Sequence, residues 1–257
     1  MGAYEGGVNV CPTVPTLYVD ASIATSGNGQ SWATAYKTLD EALAIAHCCS
    51  IIDTIKVAAG TYLPTKKPYN GCTEMATVDP RDLTVHLPDG LVLWGGYPAG
   101  GGVRNSTTNI TTLSGDFNGD DVVTGSGATL SITNNTENAY HVVVASTPIG
   151  GTGVTVDGFA ITGGNANGTS NLTVSGNAIS SDAGGAIFST SGDITLTNNT
   201  LSANSAIGKG GAVFLFSGIN LLTNNTLLGN TADLGGGIYA FFSTNTLTNN
   251  TLSGNSA

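Results

Sequence analysis

The sequence predicts an all-β protein, a right-handed single-stranded parallel β-helix (a solenoid) with a short N-terminal capping helix. Three observations predict this fold: a regular repeat at the C-terminal end, alternating apolar residues upstream of it, and a composition poor in helix formers. Gly occupies 37 positions and charged residues make up only 9% of the chain. Such a composition favours strands and tight turns over helices.

Three copies of the repeat begin at Gly184, Gly210 and Gly235, so the period is 26 and then 25 residues. Each copy contains the block LTNNTL at the same distance from its first glycine. A unit of this length, built of short β-type pieces separated by Gly and Asn, fits one rung of a solenoid. Stacked rungs place equivalent side chains on top of one another, which explains the identical columns.

Asparagine amides stacked in this way are expected to hydrogen-bond along the solenoid axis. The predicted structural ladder consists of Asn198, Asn224, Asn249, Asn204, Asn230 and Asn255. Some of these residues also lie in Asn-x-Ser/Thr sequons, which stacking explains without glycans. The two candidate glycosylation sites are Asn167 and Asn171, because they lie on an inserted loop.

The chain divides into an extended segment, 1–16, and a single β-helix domain, 17–257. Within the domain we expect a cap region over 17–82, irregular rungs over 83–183 and regular rungs over 184–257. In the cap region, Thr38-x-x-Glu41 is a capping-box pattern, and apolar residues follow at helical spacing. This pattern predicts a helix over 39–47.

All four cysteines, Cys11, Cys48, Cys49 and Cys72, lie in the first third of the chain. Their even number fits two disulfides, in any of three pairings, and the alternative is free thiols. Disulfides, low charge and a high Thr content are typical of extracellular proteins. We therefore expect a location outside the cell or at the cell surface.

Charge and hydropathy exclude two classes of partner. The net charge is −10 and no segment is basic, so the sequence offers no phosphate-neutralising surface for nucleic acid. No apolar run is long enough to span a bilayer, so we expect no transmembrane segment.

Several stretches resemble secreted bacterial β-helix proteins of the pectin-lyase-like superfamily: LYVDA at 17–21, LWGGY at 93–97 and LSGDFNGDD at 113–121. The GGAI and LxxN blocks are similar to the GGAI and FxxN repeats of chlamydial polymorphic outer-membrane proteins. The resemblance implies a β-helix fold. It leaves the activity open, since such modules occur in adhesins, surface proteins and polysaccharide-active enzymes alike.

Catalysis by a pectin-lyase-like mechanism would need a strong base and clustered carboxylates. After Arg104 the next basic residue is Lys209, and the later aspartates occupy different rung positions. The sequence therefore predicts a protein that is not an enzyme and has no catalytic residues.

The segment GDFNGDD is the best candidate for a metal site. Asp116, Asn118 and Asp120 match the first alternating positions of an EF-hand-type loop, and Asp121 follows them. The match fails further along the loop, so the alternative is an Asx-rich turn. We expect Ca²⁺ as the cofactor, or else none.

An aromatic column runs along the repeats at Phe188, Phe214 and Tyr239, with Phe216 and Phe241 two places later. Period-two alternation turns these rings outward if the neighbouring aliphatic residues point inward. They would then form an exposed stripe for binding or assembly. The alternative is that the rings face the core or lie beneath a loop.

The sequence therefore predicts a non-enzymatic extracellular module, adhesin-like or filament-forming. Its partners would be copies of itself joined end to end, with segment 8–19 of one copy, or its end face, completing the last rung of another. The alternative is a carbohydrate-binding or polysaccharide-degrading domain that uses the aromatic stripe.

Overall fold

The computed structural model describes residues 11–148 and 150–257, so most of the predicted extended segment 1–16 lies outside the described residues. In these residues the chain winds through three parallel sheets that run side by side along one axis. We name them sheets A, B and C; they contain seven, six and five strands. All pairings within the three sheets are parallel, and this confirms the predicted parallel β-helix.

The strands of each sheet stack along the axis in the order in which they occur in the chain. Sheet A contains Thr16–Val19, Thr54–Ala58, Val92–Tyr97, Val154–Asp157, Ile194–Thr197, Ile219–Thr223 and Thr244–Thr248. Sheet B contains Gly60–Tyr62, Thr111–Ser114, Ala160–Thr162, Thr200–Ser202, Thr226–Leu228 and Thr251–Ser253. Sheet C contains Val85–Leu87, Val143–Ser146, Ile187–Thr190, Val213–Phe216 and Ile238–Phe241.

Each full rung passes through sheet C, then sheet A, then sheet B. We number the rungs 1 to 5, and they cover 85–114, 143–162, 187–202, 213–228 and 238–253. One further short strand, Asn165–Ala166, follows rung 2 and pairs in parallel with Ser205–Ala206 after rung 3.

The core is a set of apolar columns, one for each sheet. In sheet A, Leu196 pairs with Leu222, and Leu222 pairs with Leu247 of the last rung. Leu196 and Leu222 are buried, as is Leu201 in the corresponding column of sheet B. Each buried leucine contributes about 1.5–3 kcal/mol relative to an exposed one, so the stacked columns supply much of the stability.

A helix, α1 (Leu39–Cys48), covers the N-terminal end of the core. Glu41 accepts hydrogen bonds from the backbone N–H of Thr38 (3.0 Å) and from its hydroxyl (2.8 Å), which forms the predicted capping box. Leu39 and Leu43 pack into the same core as the rungs. The strand Thr16–Val19 pairs with Thr54–Ala58 of the same chain, so this part of segment 8–19 is not free to complete another copy's rung.

Longer loops, which we call excursions, leave the β-helix at three turns. Each carries an antiparallel hairpin, and we number the excursions in chain order. The hairpins are Tyr69–Asn70 with Thr73–Glu74, Val122–Thr124 with Ser131–Thr133, and Asn171–Val174 with Asn177–Ser180. Three short 3-10 helices, Trp32–Thr34, Pro80–Asp82 and Gly127–Thr129, lie in loops. The second excursion carries the candidate site, and Arg81 reaches it from the first.

The glycines that open each repeat allow the rungs to stack closely. A Cβ atom on Gly211 would lie 2.4 Å from the carbonyl oxygen of Gly236 in the next rung. No side chain fits this approach, which explains why the repeat begins with paired glycines.

Candidate functional site

Three carboxylates meet where segment 115–138 leaves rung 1 and returns to rung 2. Asp116, Asp120 and Glu137 each offer an oxygen atom, and these atoms lie within 4.8 Å of one another. Among residues 11–148 and 150–257, this is the one such grouping of three or more His, Cys, Asp or Glu side chains. We call it the acidic cluster.

The loop of the acidic cluster is folded around Asp116. Its carboxylate accepts hydrogen bonds from the backbone N–H groups of Gly119 (2.7 Å), Asp120 (3.3 Å) and Asp121 (3.2 Å). This arrangement is an Asx-type turn, which was the predicted alternative to a metal site. Of the four predicted ligands, the structure groups Asp116 and Asp120 with Glu137 and does not include Asn118 or Asp121 in that grouping. Asn118 is exposed on this loop.

Three buried oxygen atoms beside the cluster have no hydrogen-bond partner: Oδ1 of Asp121, Oε1 of Glu137 and Oδ1 of Asn138. Asn138 donates its amide to the other oxygen of Asp121, at 2.9 Å. Burial, together with the charges of Asp116, Glu137 and Asp120, raises the pKa of Asp121 to about 6. Buried acceptors without partners are costly, and a bound cation would satisfy them.

Arg81 holds the far side of the cluster in place. Its guanidinium donates to the carbonyl oxygens of Asn138 and Asn165 and to the side-chain oxygen of Asn167, at 2.6 Å each. The guanidinium carbon also lies 4.1 Å from the ring centre of Tyr140. Because Arg81 binds the backbone of Asn138, it fixes the segment that brings Glu137 to the aspartates.

The sequence did not indicate Glu137, Asn138 or Arg81. Arg81 comes from the cap region, and Glu137 lies a whole excursion after the aspartates, so no spacing pattern connects them. Of the two predicted glycosylation sites, Asn167 is engaged by Arg81 and Asn171 is exposed on its hairpin.

An open cleft of about 720 Å³ lies beside Arg81, between segments 75–82 and 167–172. It contains two carboxylates, Asp79 and Asp82. Asp79 accepts hydrogen bonds from the Tyr140 hydroxyl (2.9 Å) and from the Arg81 backbone N–H (2.9 Å). Burial raises the pKa of Asp82. Asp79 therefore has a structural role, orienting the same Arg81 that supports the cluster.

Comparison with known proteins identifies the family. Residues 120–257, which include most of the acidic cluster, match the family described as NosD, periplasmic copper-binding protein. This chain belongs to the NosD family. No curated protein and no solved structure matches the chain.

The NosD family corrects the predicted cofactor. Its description names copper, so the expectation of Ca²⁺, or of no cofactor, is wrong. The right-handed β-helix fold and a periplasmic family agree with the predicted fold and with a location on the outer side of the cytoplasmic membrane. In the described part of the chain, no helix has the length and apolar character to cross a bilayer.

The ligands in the NosD-matched segment suit cupric rather than cuprous copper. Residues 120–257 contain no Cys or Met and a single histidine, His141. Its ring nitrogen Nδ1 lies 3.0 Å from the Gly184 carbonyl oxygen, and burial lowers its pKa to about 4. Cuprous copper prefers thiolate and thioether ligands, whereas cupric copper accepts oxygen ligands and binds them more tightly than other first-row divalent ions do. The acidic cluster offers oxygen ligands alone, which cupric copper accepts and cuprous copper does not favour.

The asparagine ladders of this NosD-family chain lie partly where the sequence placed them. Asn204, Asn230 and Asn255 are linked by side-chain hydrogen bonds of 3.0 and 2.9 Å. The second buried ladder is one residue later than predicted, at Asn199, Asn225 and Asn250. Asn198, Asn224 and Asn249 instead occupy exposed turns with positive φ, and Asn224 donates to Asn198 at 3.4 Å.

The predicted aromatic stripe faces outward from sheet C, but part of it is covered. Phe188, Phe214 and Tyr239 are in register, as are Phe216 and Phe241. Phe188 is only 2% exposed, because the hairpin 171–180 packs its apolar side chains against it. The exposed part of the stripe is confined to rungs 4 and 5.

The cysteines form one disulfide, between Cys11 and Cys49. Cys48 and Cys72 carry free thiols, which differs from the two disulfides expected. Cys49 is bonded to the N-terminal segment, and the adjacent Cys48 faces the hairpin that carries Cys72.

Proposed function

We propose that this protein is a non-enzymatic periplasmic β-helix scaffold that binds cupric copper at the acidic cluster. The observation that carries the proposal is the convergence of Asp116, Asp120 and Glu137 beside buried oxygens that lack partners. The copper-binding description of the family supports the choice of ion. The oxygen ligands of the acidic cluster support Cu²⁺ rather than Cu⁺ as the bound form.

The residues of the site have distinct tasks in this proposal. The three carboxylates supply negative charge and the ligand atoms. Asp121 and Asn138 lie beside them and add buried acceptor atoms. Arg81 anchors the backbone at Asn138, and its positive charge interacts with Glu137 of the cluster. Copper bound at the acidic cluster would be Cu²⁺ with carboxylate and amide oxygen atoms around it.

A scaffold without catalysis is supported by how other charged residues are used. Arg104, the strongest base near the rungs, donates to both Asp157 (2.7 Å) and the Gly95 carbonyl oxygen (2.6 Å). Asp193 accepts from the backbone N–H of Ile219 in the next rung (2.7 Å). These groups join one rung to another, and their atoms are engaged in doing so.

Metal titration tests the proposal. Calorimetry with Cu²⁺, Zn²⁺ and Ca²⁺ on the purified chain should give one Cu²⁺ site, with weaker Zn²⁺ and Ca²⁺ binding. The electron paramagnetic resonance spectrum should show no hyperfine coupling to nitrogen, because the ligands are oxygens. Glu137→Gln should weaken Cu²⁺ binding at least about tenfold, which is about 1.4 kcal/mol.

Asp233→Asn is the matched control, because it removes one exposed carboxylate from a turn between rungs 4 and 5. It should leave Cu²⁺ affinity unchanged. Copper binding that survives in an Asp120→Asn, Glu137→Gln double variant would contradict the proposal. Ca²⁺ binding as tight as Cu²⁺ binding would contradict it too.

An adhesin-like or filament-forming role is a second candidate, favoured by one observation. Phe216, Phe241 and Phe242 are exposed and in contact at the turn between sheets C and A, with ring centres 4.2–6.3 Å apart. We call these three residues the phenylalanine patch. An exposed aromatic group on a nearly uncharged surface favours contact with a second copy of the chain.

A further inference from the structure

The two free thiols lie against each other at the end of α1. Cys48 is the last residue of the helix, and Cys72 lies in the turn of the hairpin Tyr69–Asn70 with Thr73–Glu74. The Cys48 thiol donates to the Cys72 carbonyl oxygen, and the Cys72 thiol donates to the His47 carbonyl oxygen, each at 3.7 Å.

We propose that Cys48 and Cys72 form a second disulfide, which fastens the first excursion to α1. The neighbouring Cys49 is already bonded to Cys11, so the same helix end folds under conditions in which disulfides persist. The periplasm is such a compartment. This inference uses the location of the family and does not depend on copper binding.

The oxidation proceeds by thiol–disulfide exchange with a disulfide-carrying oxidant of that compartment. The Cys72 thiolate attacks one sulfur of the oxidant, forms a mixed disulfide, and releases the other sulfur as a thiolate. The Cys48 thiolate then attacks the Cys72 sulfur, and the oxidant leaves as a dithiol. The protein loses two protons and two electrons in total, and the oxidant takes up the two protons and the two electrons as its disulfide is reduced.

The order of attack follows from exposure. Cys72 is exposed, whereas Cys48 is half-buried. Burial and the neighbouring Cys72 raise the pKa of the Cys48 thiol to about 11. Because the thiolate is the nucleophile, Cys72 reacts first with an external disulfide, and Cys48 reacts only after the mixed disulfide has formed beside it.

The bond would restrain the part of the cap region that leads to Arg81. The hairpin at 69–74 is held by pairing of only two residues on each strand. Its base is already docked, since the His47 ring stacks between Tyr69 and His86 at 4.4 and 4.6 Å. A disulfide at the turn would fix the opposite end, so that both ends of the hairpin are held.

The test counts thiols in the full chain, equilibrated with oxidised glutathione in the presence of a chelator that removes copper. The expected result is no free thiol and a peptide map linking Cys48 to Cys72 and Cys11 to Cys49. Cys48→Ser should acquire one glutathione, on Cys72. The matched variant Cys72→Ser should acquire less glutathione on Cys48, because that thiol is half-buried.

Amide hydrogen exchange provides a second measurement. Reduction of the wild-type disulfides should speed exchange over 69–74 at least tenfold relative to the oxidised protein, whereas reduction of Cys72→Ser should change the same amides little. Two thiols that persist after equilibration, or a map that links Cys48 to Cys11, would overturn the proposal. Equal glutathione uptake by the two serine variants would overturn the proposed order of attack.

Discussion

Two adjacent asparagines in each repeat have different roles, although both recur in every copy of the LTNNTL block. Asn224 occupies an exposed turn with φ of 56°, whereas Asn225 is 1% exposed. Asn225 accepts hydrogen bonds from the backbone and the amide of Asn199, and donates to Asn250 and the Leu196 carbonyl oxygen. Each buried asparagine therefore satisfies groups of the rungs on both sides.

The matched pair Asn225→Leu and Asn224→Gly tests this difference. Asn225→Leu keeps a similar volume but leaves the buried Asn199 N–H without its acceptor, which costs about 1–3 kcal/mol. It also removes the amide hydrogen bond to the Leu196 carbonyl oxygen. We expect the free energy of unfolding to fall by about 3 kcal/mol. Glycine tolerates the positive φ at position 224, so Asn224→Gly should change stability by less than about 1 kcal/mol. Urea unfolding of both variants measures the effect, and equal losses would refute the assignment.

The columns of identical residues identify which positions stack, but they do not say which of two neighbours points inward. Simple alternation from Leu222 places Asn224 on the inner face and Asn225 on the outer one. The left-handed turn at Asn224 interrupts the alternation and rotates Asn225 into the core. The ladder prediction therefore had the correct repeat but, in one column, was shifted by one residue.

At the scale of elements, the inserted hairpin Asn171–Val174 with Asn177–Ser180 serves as a cover for sheet C. Its Val174 and Ile179 are buried against Val144 and Phe188 in a cluster separate from the core inside the rungs. An element that buries its own small cluster can open without disturbing the main core.

Ile179→Asp should therefore open the hairpin locally while the rungs stay folded, because the charge cannot remain buried against Phe188. We expect cleavage over 169–181 by a nonspecific protease to accelerate at least tenfold, with little change in circular dichroism. Thr173→Asp, on the exposed face of the same hairpin, is the control and should cleave like the wild type. Loss of the β signal in Ile179→Asp would instead show that the hairpin supports the rungs.

The candidate site could be predicted from the sequence only as far as single elements determine it. The regular rungs, α1 and the aspartate loop follow from local patterns: repeats, a capping box and alternating acids. Glu137 reaches Asp116 only because the excursion 115–138 closes on itself. Arg81 arrives from another excursion. Contacts made by loop closure leave no periodic signal, so the third carboxylate and its anchor had to come from the structure.

The whole molecule combines a charged N-terminal half with nearly neutral repeats. Residues 184–257 carry three charged side chains, Asp193, Lys209 and Asp233. Charges stacked in identical columns would repel at the spacing between rungs, about 4.8 Å, so neutral Thr and Asn suit the repeats. A surface with so little charge does not repel a second copy of itself.

We expect two copies of the chain to contact each other at the phenylalanine patch. Equivalent positions in other rungs carry polar residues, which provide the substitutions for a test. Phe241 is in register with Phe216 and Thr190, and Phe242 takes the positive-φ turn position that Ser191 and Ser217 occupy in other rungs. Since each buried Phe contributes about 1.5–3 kcal/mol, Phe241→Thr with Phe242→Ser should weaken self-association at least tenfold without loss of stability. Light scattering over a concentration series measures this, with Leu221→Thr, an exposed residue of sheet A, as the control. If the double variant associates as strongly as the wild type, the patch is not the contact, and a wild type that stays monomeric throughout removes the filament-forming candidate.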